Sequence, residues 1–304
     1  MEYCMTTNAL CKQYKHSKAL DNLSMHVPKG SIYGFVGKNG AGKTTLIRLI
    51  CGLQKVSSGG YTLYGVKNTD KEIEKARGRI GAIVEAPSVY MDMTAKENLR
   101  QQYRILGLPS YEGIDELLGL VGLADTGKKK VRNFSLGMRQ RLGIAVALVG
   151  DPDFLILDEP INGLDPQGII EIRELILKLN RERQITVLIS SHILEELSKL
   201  ATHYGFIDRG HIVREISAQE IEAACRKCIC IEVDNAGALA RVLDGMKIEY
   251  RVLSNTEAEI YADMSVTKLV LALAKEHCEV LSYREHDESL ESYYVNLVGG
   301  EMYE

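Results

Sequence analysis

The fold of this chain is decided by one stretch of sequence, Gly37-Lys38-Asn39-Gly40-Ala41-Gly42-Lys43-Thr44. It fits the pattern G-x-x-x-x-G-K-[ST] of a phosphate-binding loop. The apolar run 31–36 before it predicts a buried strand and residues 44–52 predict a helix, so the loop joins a strand to a helix. The glycines let backbone N–H groups turn toward phosphate oxygens, and the helix directs the positive end of its dipole at the anion.

Two side chains of this loop add chemistry to the backbone. Lys43 can reach the β and γ phosphates of a nucleotide, and the Thr44 hydroxyl can bind Mg²⁺. The alternative is a glycine-rich turn that binds nothing, which the strand–loop–helix context disfavours. We predict that the nucleotide phosphates contact Gly37, Asn39, Gly40, Ala41, Gly42, Lys43, Thr44 and Thr45.

A second apolar run, Phe154–Leu157, ends in Asp158 and Glu159. Buried strands do not ordinarily end in two carboxylates unless a cation lies nearby. We predict that Asp158 belongs to the coordination shell of Mg²⁺ and that Glu159 faces the γ-phosphate and polarises a water molecule. A solvated start of a loop is the alternative, and the phosphate-binding loop upstream disfavours it.

Strands and helices alternate along residues 1–215, which predicts an α/β fold with a mostly parallel sheet and helices on both faces. Residues from about 90 to 150 differ, because helical spacing with glycine stops predicts a mostly helical segment. The predicted helices are Ala95–Leu106, Glu112–Val121, Leu136–Val149, Ile169–Arg181 and Ile193–Ala201, and Thr186–Ile189 is a further predicted strand.

The pattern changes near residue 215, which predicts two domains, 1–215 and 216–304. Residues 215–304 hold 18 Asp and Glu against 8 Lys and Arg, whereas residues 1–214 hold 23 against 29. The second part has the order βαββαβ, the ferredoxin-like arrangement of a small α+β domain. Its predicted elements are the strands Ile229–Val233, Ile248–Leu253, Glu257–Ala262 and Cys278–Tyr283 and the helices Ala236–Leu243, Val266–Lys275 and Leu290–Leu297.

Composition disfavours several classes of protein. The net charge of −4 and the acidic second part argue against nucleic acid as a partner. No apolar stretch approaches the ~18–20 residues that cross a bilayer, so we expect another chain to span the membrane if the protein acts there. The first residues lack the features of a secretory signal, and seven cysteines do not form a closed set of disulfides, which predicts a reduced, cytosolic chain.

Three of the cysteines form the pattern Cys225-x-x-Cys228-x-Cys230, which raises the question of a metal site. No second Cys/His pair follows at zinc spacing, and the pattern leads into an apolar strand. These observations favour buried thiols over a metal site.

Three further motifs follow in the order found in ATP-binding cassette (ABC) ATPases, and residues 1–215 of the chain resemble that family. The sequence Phe-Ser-Leu-Gly-Met-Arg-Gln-Arg at 134–141 resembles the family's signature motif. Residues 160–165, Pro-Ile-Asn-Gly-Leu-Asp, resemble its D-loop, and Ser190-Ser191-His192 resembles its switch histidine. The resemblance implies a P-loop ABC ATPase domain with a mixed-sheet core and a helical subdomain.

A finer resemblance is to the ATP-binding subunits of bacitracin-type and lantibiotic-type peptide-antibiotic exporters. It rests on Ser-Leu-Gly-Met in the signature and on Glu85 within Ile83–Ser88. The chain departs from the usual family pattern at two places. Leu136 and Met138 replace Gly and Gln of the usual Leu-Ser-Gly-Gly-Gln, and Glu85 stands where the family usually has glutamine.

In this family two ATP-binding domains pair head to tail and hold two ATP molecules between them. The resemblance therefore implies that the signature of one copy meets the γ-phosphate held by the loop of the other. It implies roles at the nucleotide for Tyr14 (adenine stacking), Ser135, Leu136 and Gly137 (γ-phosphate), Glu85 (Mg²⁺ and water), Glu159 (attacking water) and His192 (γ-phosphate). The alternatives are a core histidine for His192, an ordinary tyrosine for Tyr14 and a solvated acid for Glu85.

The resemblance as a whole implies an ATP-binding, ATP-hydrolysing subunit that uses ATP and Mg²⁺. It would lie peripherally on the cytoplasmic face of the cell membrane and power export of a peptide antibiotic or similar amphipathic compound through a separate transmembrane permease. Its second ATP-binding partner would be another copy of itself or a paralogue. Two rivals are a DNA or ribosome ATPase and a module that binds ATP without hydrolysing it. The acidic second part disfavours the first, and the presence of Glu159 and His192 disfavours the second.

Overall fold

The structure is a computed structural model that describes residues 2–15, 17–225, 228–262, 265–286 and 290–299. The chain forms two compact units, Met1–Ala218 and Gln219–Glu304. The elements of the first unit are β1 (Tyr3–Tyr14), β2 (Ser17–Leu23), β3 (His26–Pro28), β4 (Ile32–Val36), α1 (Lys43–Ile50), β5 (Ser58–Leu63), β6 (Val66–Lys67), α2 (Ile73–Arg77), β7 (Ile80–Ile83), α3 (Ala95–Ile105), α4 (Ile114–Leu120), α5 (Leu136–Ala147), β8 (Phe154–Asp158), α6 (Pro166–Arg183), β9 (Thr186–Ser191), α7 (Leu194–Ser198), β10 (His203–Asp208) and β11 (His211–Ser217).

A six-stranded sheet in the order β11-β10-β4-β9-β8-β7 organises the first unit. All of its neighbours are parallel except β10 and β11. The central strands are buried along their whole length, as strands covered on both faces are. Register aligns their carboxyl ends, because Val36 pairs with Ser191 and Asp158 pairs with Ser190. The residues that follow these strands therefore meet at one edge of the sheet.

A second sheet is antiparallel and runs β2-β1-β5-β6, with β3 also paired to β1. None of its strands was individually predicted from the sequence. A buried apolar cluster joins this sheet, helix α1 and the inner strands of the six-stranded sheet, with Met5, Leu23, Phe35, Leu46 and Phe154 among its members. Burial of α1 in this cluster fixes the helix that begins at the phosphate-binding loop.

Residues between β7 and β8 form the helical segment α3, α4 and α5. Helix α3 begins at a capping box in which Thr94 accepts from the Glu97 N–H and Glu97 accepts from the Thr94 N–H. Helix α5 begins at Ser135, whose hydroxyl accepts from the Met138 N–H at 3.2 Å. Two side-chain caps therefore set where this segment turns into helix.

The second unit contains α8 (Ala218–Ala224, beginning at the boundary), β12 (Cys228–Val233), α9 (Ala236–Met246), β13 (Tyr250–Val252), β14 (Glu257–Ile260), α10 (Val266–Lys275), β15 (Val280–His286) and α11 (Leu290–Gly299). Its sheet has the order β13-β14-β12-β15, and every pair is antiparallel. From β12 onward the order is βαββαβ, the ferredoxin-like arrangement that the sequence predicted. One sheet face packs on α9 and α10 through Ile231, Leu239 and Leu269.

Element bounds differ from the predicted ones at several helices. Helix α6 begins at Pro166 rather than Ile169, because Asp165 caps it and proline is favoured in the first turn. Helix α7 is shorter than predicted and covers Leu194–Ser198. None of the helices among the described residues is long and apolar enough to cross a lipid bilayer.

Candidate nucleotide-binding and hydrolysis site

The loop after β4 is shaped by glycines that no other residue replaces without strain. At Gly42, φ is +116°, and a Cβ atom would lie 2.6 Å from the Ala19 carbonyl oxygen. At Gly37 a Cβ atom would lie 2.6 Å from the Ile207 carbonyl oxygen. The first position requires a backbone that side chains disfavour, and both require close contact with neighbouring backbone. The loop is thereby held against β2 and β10 as it enters α1.

Lys43, the first residue of α1, turns its ammonium group back toward this loop. Nζ donates to the Gly37 carbonyl at 2.6 Å and to the Lys38 carbonyl at 3.3 Å. It also lies 3.2 Å from Oε1 of Glu159, and its side chain is 6% exposed. A buried cation is therefore held where the loop closes, surrounded by oxygen atoms.

Asp158 ends β8 and is 1% exposed. Its two carboxylate oxygens accept hydrogen bonds from two hydroxyls, Thr44 Oγ1 at 2.8 Å and Ser190 Oγ at 2.6 Å. Both contacts follow from topology, since Thr44 lies in the first turn of α1 and Ser190 is the register partner of Asp158 on β9. The result is a buried carboxylate beside the hydroxyl expected to bind Mg²⁺.

Glu159 connects the loop lysine to the histidine after β9. One carboxylate oxygen pairs with Lys43, and the other lies 2.8 Å from Nδ1 of His192. The backbone of Glu159 has φ +49°, a conformation that costs energy for a non-glycine residue. Its N–H donates to Ser190, both to the hydroxyl oxygen at 3.0 Å and to the carbonyl oxygen at 3.2 Å. Ser190 thus fixes the turn that aims the carboxylate.

These contacts bring five predicted residues into one network: Lys43, Thr44, Asp158, Glu159 and His192. The network places a cation, a hydroxyl and two carboxylates at a helix N-terminus, which is a ready site for an anion that carries a metal. Hydroxyl and carboxylate oxygens are hard ligands of the kind Mg²⁺ prefers, so the donor set fits that ion.

The sequence of this chain is similar to those of known ATP-binding proteins of transporters. The family model described as ABC transporter matches residues 20–162. The bacitracin transport ATP-binding protein BcrA of Bacillus licheniformis is 42% identical over 99% of both chains. The lantibiotic transport ATP-binding protein SrtF of Streptococcus pyogenes is 43% identical over 68% of this chain and 87% of its own.

The chain belongs to the ATP-binding proteins of ABC transporters.

Solved structures agree with this assignment. A dimeric ATP-binding cassette, MJ0796, determined in a post-hydrolysis state with ADP and Pi, is 27% identical and has a TM-score of 0.62. The match covers 70% of this chain and 98% of that cassette. The ABC assignment confirms the predicted family and fold class, and with them ATP binding and ATPase activity.

The remaining predicted ABC site residues lie outside the Lys43 network. Tyr14 is 40% exposed at the end of β1, donates from its hydroxyl to Gln54 at 2.7 Å, and has Lys12 Nζ 5.2 Å from its ring centroid. The Tyr14 ring therefore lies on the surface, where a base can stack. Glu85 follows β7 with φ +66° and pairs with Arg48 at 2.5 Å.

The ABC signature residues Ser135, Leu136 and Gly137 form the start of α5. Leu136 is 41% exposed, whereas Gly137 is buried. No hydrogen bond or ion pair between described residues connects this turn with Lys43 or Glu159.

Two contributors to the site were missed from the sequence. Ser190 supplies hydrogen bonds to both Asp158 and Glu159, and Arg48 neutralises Glu85. The motif Ser-Ser-His pointed to the right segment, but it did not say which serine faces Asp158. Arg48 lies one turn after Thr44 on α1, and no sequence signal links it to Glu85.

Proposed function

We propose that this chain hydrolyses Mg²⁺-bound ATP at the network of Lys43, Thr44, Asp158, Glu159 and His192 and thereby powers export of a peptide antibiotic or similar amphipathic compound. The observation that supports the site is the bridging position of Glu159, between the loop lysine and the switch histidine. The cargo class is supported by the two relatives, which are a bacitracin transport protein and a lantibiotic transport protein.

Lys43 would exchange its carboxylate partner for the β and γ phosphates when ATP enters. The Glu159 carboxylate, released from Lys43, would then be free to orient the attacking water, and His192, whose Nδ1 lies 2.8 Å from that carboxylate, would contact the γ-phosphate. Preorganised positive groups that meet the developing charge account for most catalysis of phosphoryl transfer. The loop N–H groups at Gly37, Gly40 and Gly42 would add to that charge stabilisation.

The Thr44 hydroxyl and the Asp158 carboxylate would hold Mg²⁺, with Glu85 as a further predicted ligand. Mg²⁺ supplies charge neutralisation at the phosphates when it is bound. The 2.8 Å hydrogen bond between Thr44 and Asp158 keeps their oxygens together, and the 2.6 Å bond from Ser190 orients the carboxylate. Tyr14 would stack on the adenine.

The complete site would need a second ATP-binding domain, either another copy or a paralogue, because Ser135–Gly137 lies outside the network. We assign residues 1–215 to the ATP-binding domain, with residues of about 90–150 as its helical subdomain, and residues 216–304 to an accessory domain. A separate permease would carry the cargo, with this subunit on the cytoplasmic face of the membrane.

The cargo proposal is tested by expressing the chain together with a candidate permease in a host sensitive to bacitracin and lantibiotics. We expect a raised inhibitory concentration for one of these peptides and no change for an unrelated antibiotic. A matched strain carrying Lys43→Ala should lose the protection at equal expression. Equal inhibitory concentrations for both strains, with an active ATPase in the membrane fraction, would exclude these peptides as cargo.

A further inference from the structure

The outer face of the second unit's sheet carries a cluster of two thiols and a carboxylate. Ile229, Ile231 and Val233 of β12 point into the core, so Cys228 and Cys230 lie on the opposite face. Register places Cys230 directly opposite Glu259 of β14, and directly opposite residues share a face. Two potential sulfur ligands on β12 and one potential oxygen ligand on β14 therefore lie close together, although the two strands are separated in sequence.

The geometry of this cluster suits a tetrahedral metal. The Sγ atoms of Cys228 and Cys230 are 3.9 Å apart. Two thiolates on tetrahedral zinc, each at about 2.3 Å, are separated by about 3.8 Å. The ligand atoms of Cys228, Cys230 and Glu259 all lie within 4.8 Å of one another, so a modest rotation of Glu259 completes a three-ligand set.

The cluster is partly buried, and one of its members has a supporting hydrogen bond. Cys228 is 8% exposed, and the carboxylate of Glu259 accepts from the Tyr261 hydroxyl at 2.5 Å. That hydrogen bond orients the carboxylate and leaves its other oxygen for a metal, as outer partners of metal ligands do.

We propose that Cys228, Cys230 and Glu259 bind one Zn²⁺ ion. Two thiolates and a carboxylate with Zn²⁺ carry a net charge of −1, and two arginines are placed by register to offset it, Arg284 opposite Cys230 and Arg251 opposite Glu259. Thiolates favour Zn²⁺ over Mg²⁺ or Ca²⁺, and the carboxylate disfavours Cu⁺. Binding releases the thiol protons to solvent, and water takes the fourth position.

The sequence alone favoured buried thiols at this motif because no second Cys/His pair follows at zinc spacing. The structure offers a candidate third ligand from β14 rather than from a second pair, which reopens the question of a metal site. The competing explanation is that the two thiols share only a hydrogen bond. A measurement of zinc binding distinguishes this explanation from a metal site.

The test uses the full chain, reduced, stripped with a chelator and free of nucleotide. Zinc content after dialysis, zinc affinity by competition with a chromogenic chelator, and absorption after cobalt substitution are measured. We expect one tightly held zinc per chain and a thiolate-to-cobalt charge-transfer band, which no oxygen-ligated magnesium site produces. Cys228→Ser/Cys230→Ser should abolish both, and Glu259→Gln should weaken zinc binding by about 10–100-fold.

The matched control is Cys278→Ser in the same unit. Cys278 is buried on the core side and donates to the Asn235 carbonyl at 3.5 Å, a contact that serine can keep. Its zinc content and cobalt band should equal those of the wild type. Circular dichroism and ATP binding check that each variant is folded, and Glu259, which is only partly buried, tolerates an isosteric change. Absence of the cobalt band in the wild type, its persistence in the double variant, or unchanged affinity in Glu259→Gln would overturn the proposal.

Discussion

Replacing Glu159 by glutamine separates two roles that the structure gives to this carboxylate. It pairs with Lys43 at 3.2 Å and with His192 at 2.8 Å, while its side chain is 19% exposed. In the proposed function ATP takes Lys43 from this pair, so the carboxylate would oppose ATP binding while it serves hydrolysis. Glu159→Gln should therefore bind ATP more tightly and hydrolyse it more slowly.

The size of the binding effect follows from the pair itself. Two unit charges 3.2 Å apart attract by roughly 5 kcal/mol at an effective dielectric constant of about 20. Desolvation offsets most of that attraction, and a hydrogen bond to a charged group contributes about 1.5–3 kcal/mol net. Glutamine keeps part of this interaction with Lys43. We therefore expect the variant to bind ATP more tightly by about 1–2 kcal/mol, which is about 5–30-fold in affinity. Loss of the group that orients water should slow hydrolysis by about 10²–10⁴-fold.

The assay measures ATP affinity by equilibrium titration and hydrolysis under single-turnover conditions, with light scattering for a trapped dimer. Glu196→Gln is the matched control, because Glu196 is 16% exposed and accepts from Arg173 at 3.0 Å and from Lys199 at 2.8 Å. Its affinity and turnover should stay close to those of the wild type. Unchanged or weaker ATP binding in Glu159→Gln would refute the competition for Lys43, and wild-type turnover would refute the role of Glu159 in hydrolysis.

Two further predictions concern residues that support the site. Ser190→Ala removes a buried hydrogen bond to Asp158 and a partly buried one from the Glu159 N–H, so it should lower the free energy of unfolding by about 1–3 kcal/mol in a denaturant titration and slow ATP hydrolysis. Ser191→Ala, whose hydroxyl accepts from the Ile193 N–H, is its neighbour control and should retain hydrolysis; equal loss in both variants would contradict the assignment. Glu85→Gln should relax the Mg²⁺ dependence of ATP affinity by a few fold, because a carboxylate holds Mg²⁺ more strongly than an amide. Superimposable Mg²⁺ titrations of wild type and variant would make Glu85 an ordinary partner of Arg48.

Motifs at the ends of strands were predictable because their positions depend on local sequence. An apolar run followed by glycines or by two acids marks a buried parallel strand that ends at a functional edge. Lys43, Thr44, Asp158 and Glu159 were placed in one site on that basis, and the register of β4, β8 and β9 brings them together. The alternation of strands and helices likewise predicted the mostly parallel sheet.

Pairings between distant segments were not predictable in the same way. Strand β1 pairs with β5, whose residues lie some fifty positions later, and neither strand was individually predicted from the sequence. A single-residue slip on β9 would have presented Ser191 instead of Ser190 to Asp158, since successive side chains point to opposite faces. Local sequence does not specify which of two equivalent serines meets a carboxylate on another strand.

The cysteines of β12 follow the same logic. Their spacing of two places both on one face of the strand, and this much the sequence states. Whether that face meets a third ligand depends on the partner strand and its register, because shifting β14 by one residue would replace Glu259 with Ala258 or Ile260 opposite Cys230. The register that buries Ala258 and Ile260 in the core is therefore the one that puts Glu259 beside the thiols. Packing of the apolar face thus selects the chemistry of the outer face, and a shift of that register would remove core burial and ligand set together.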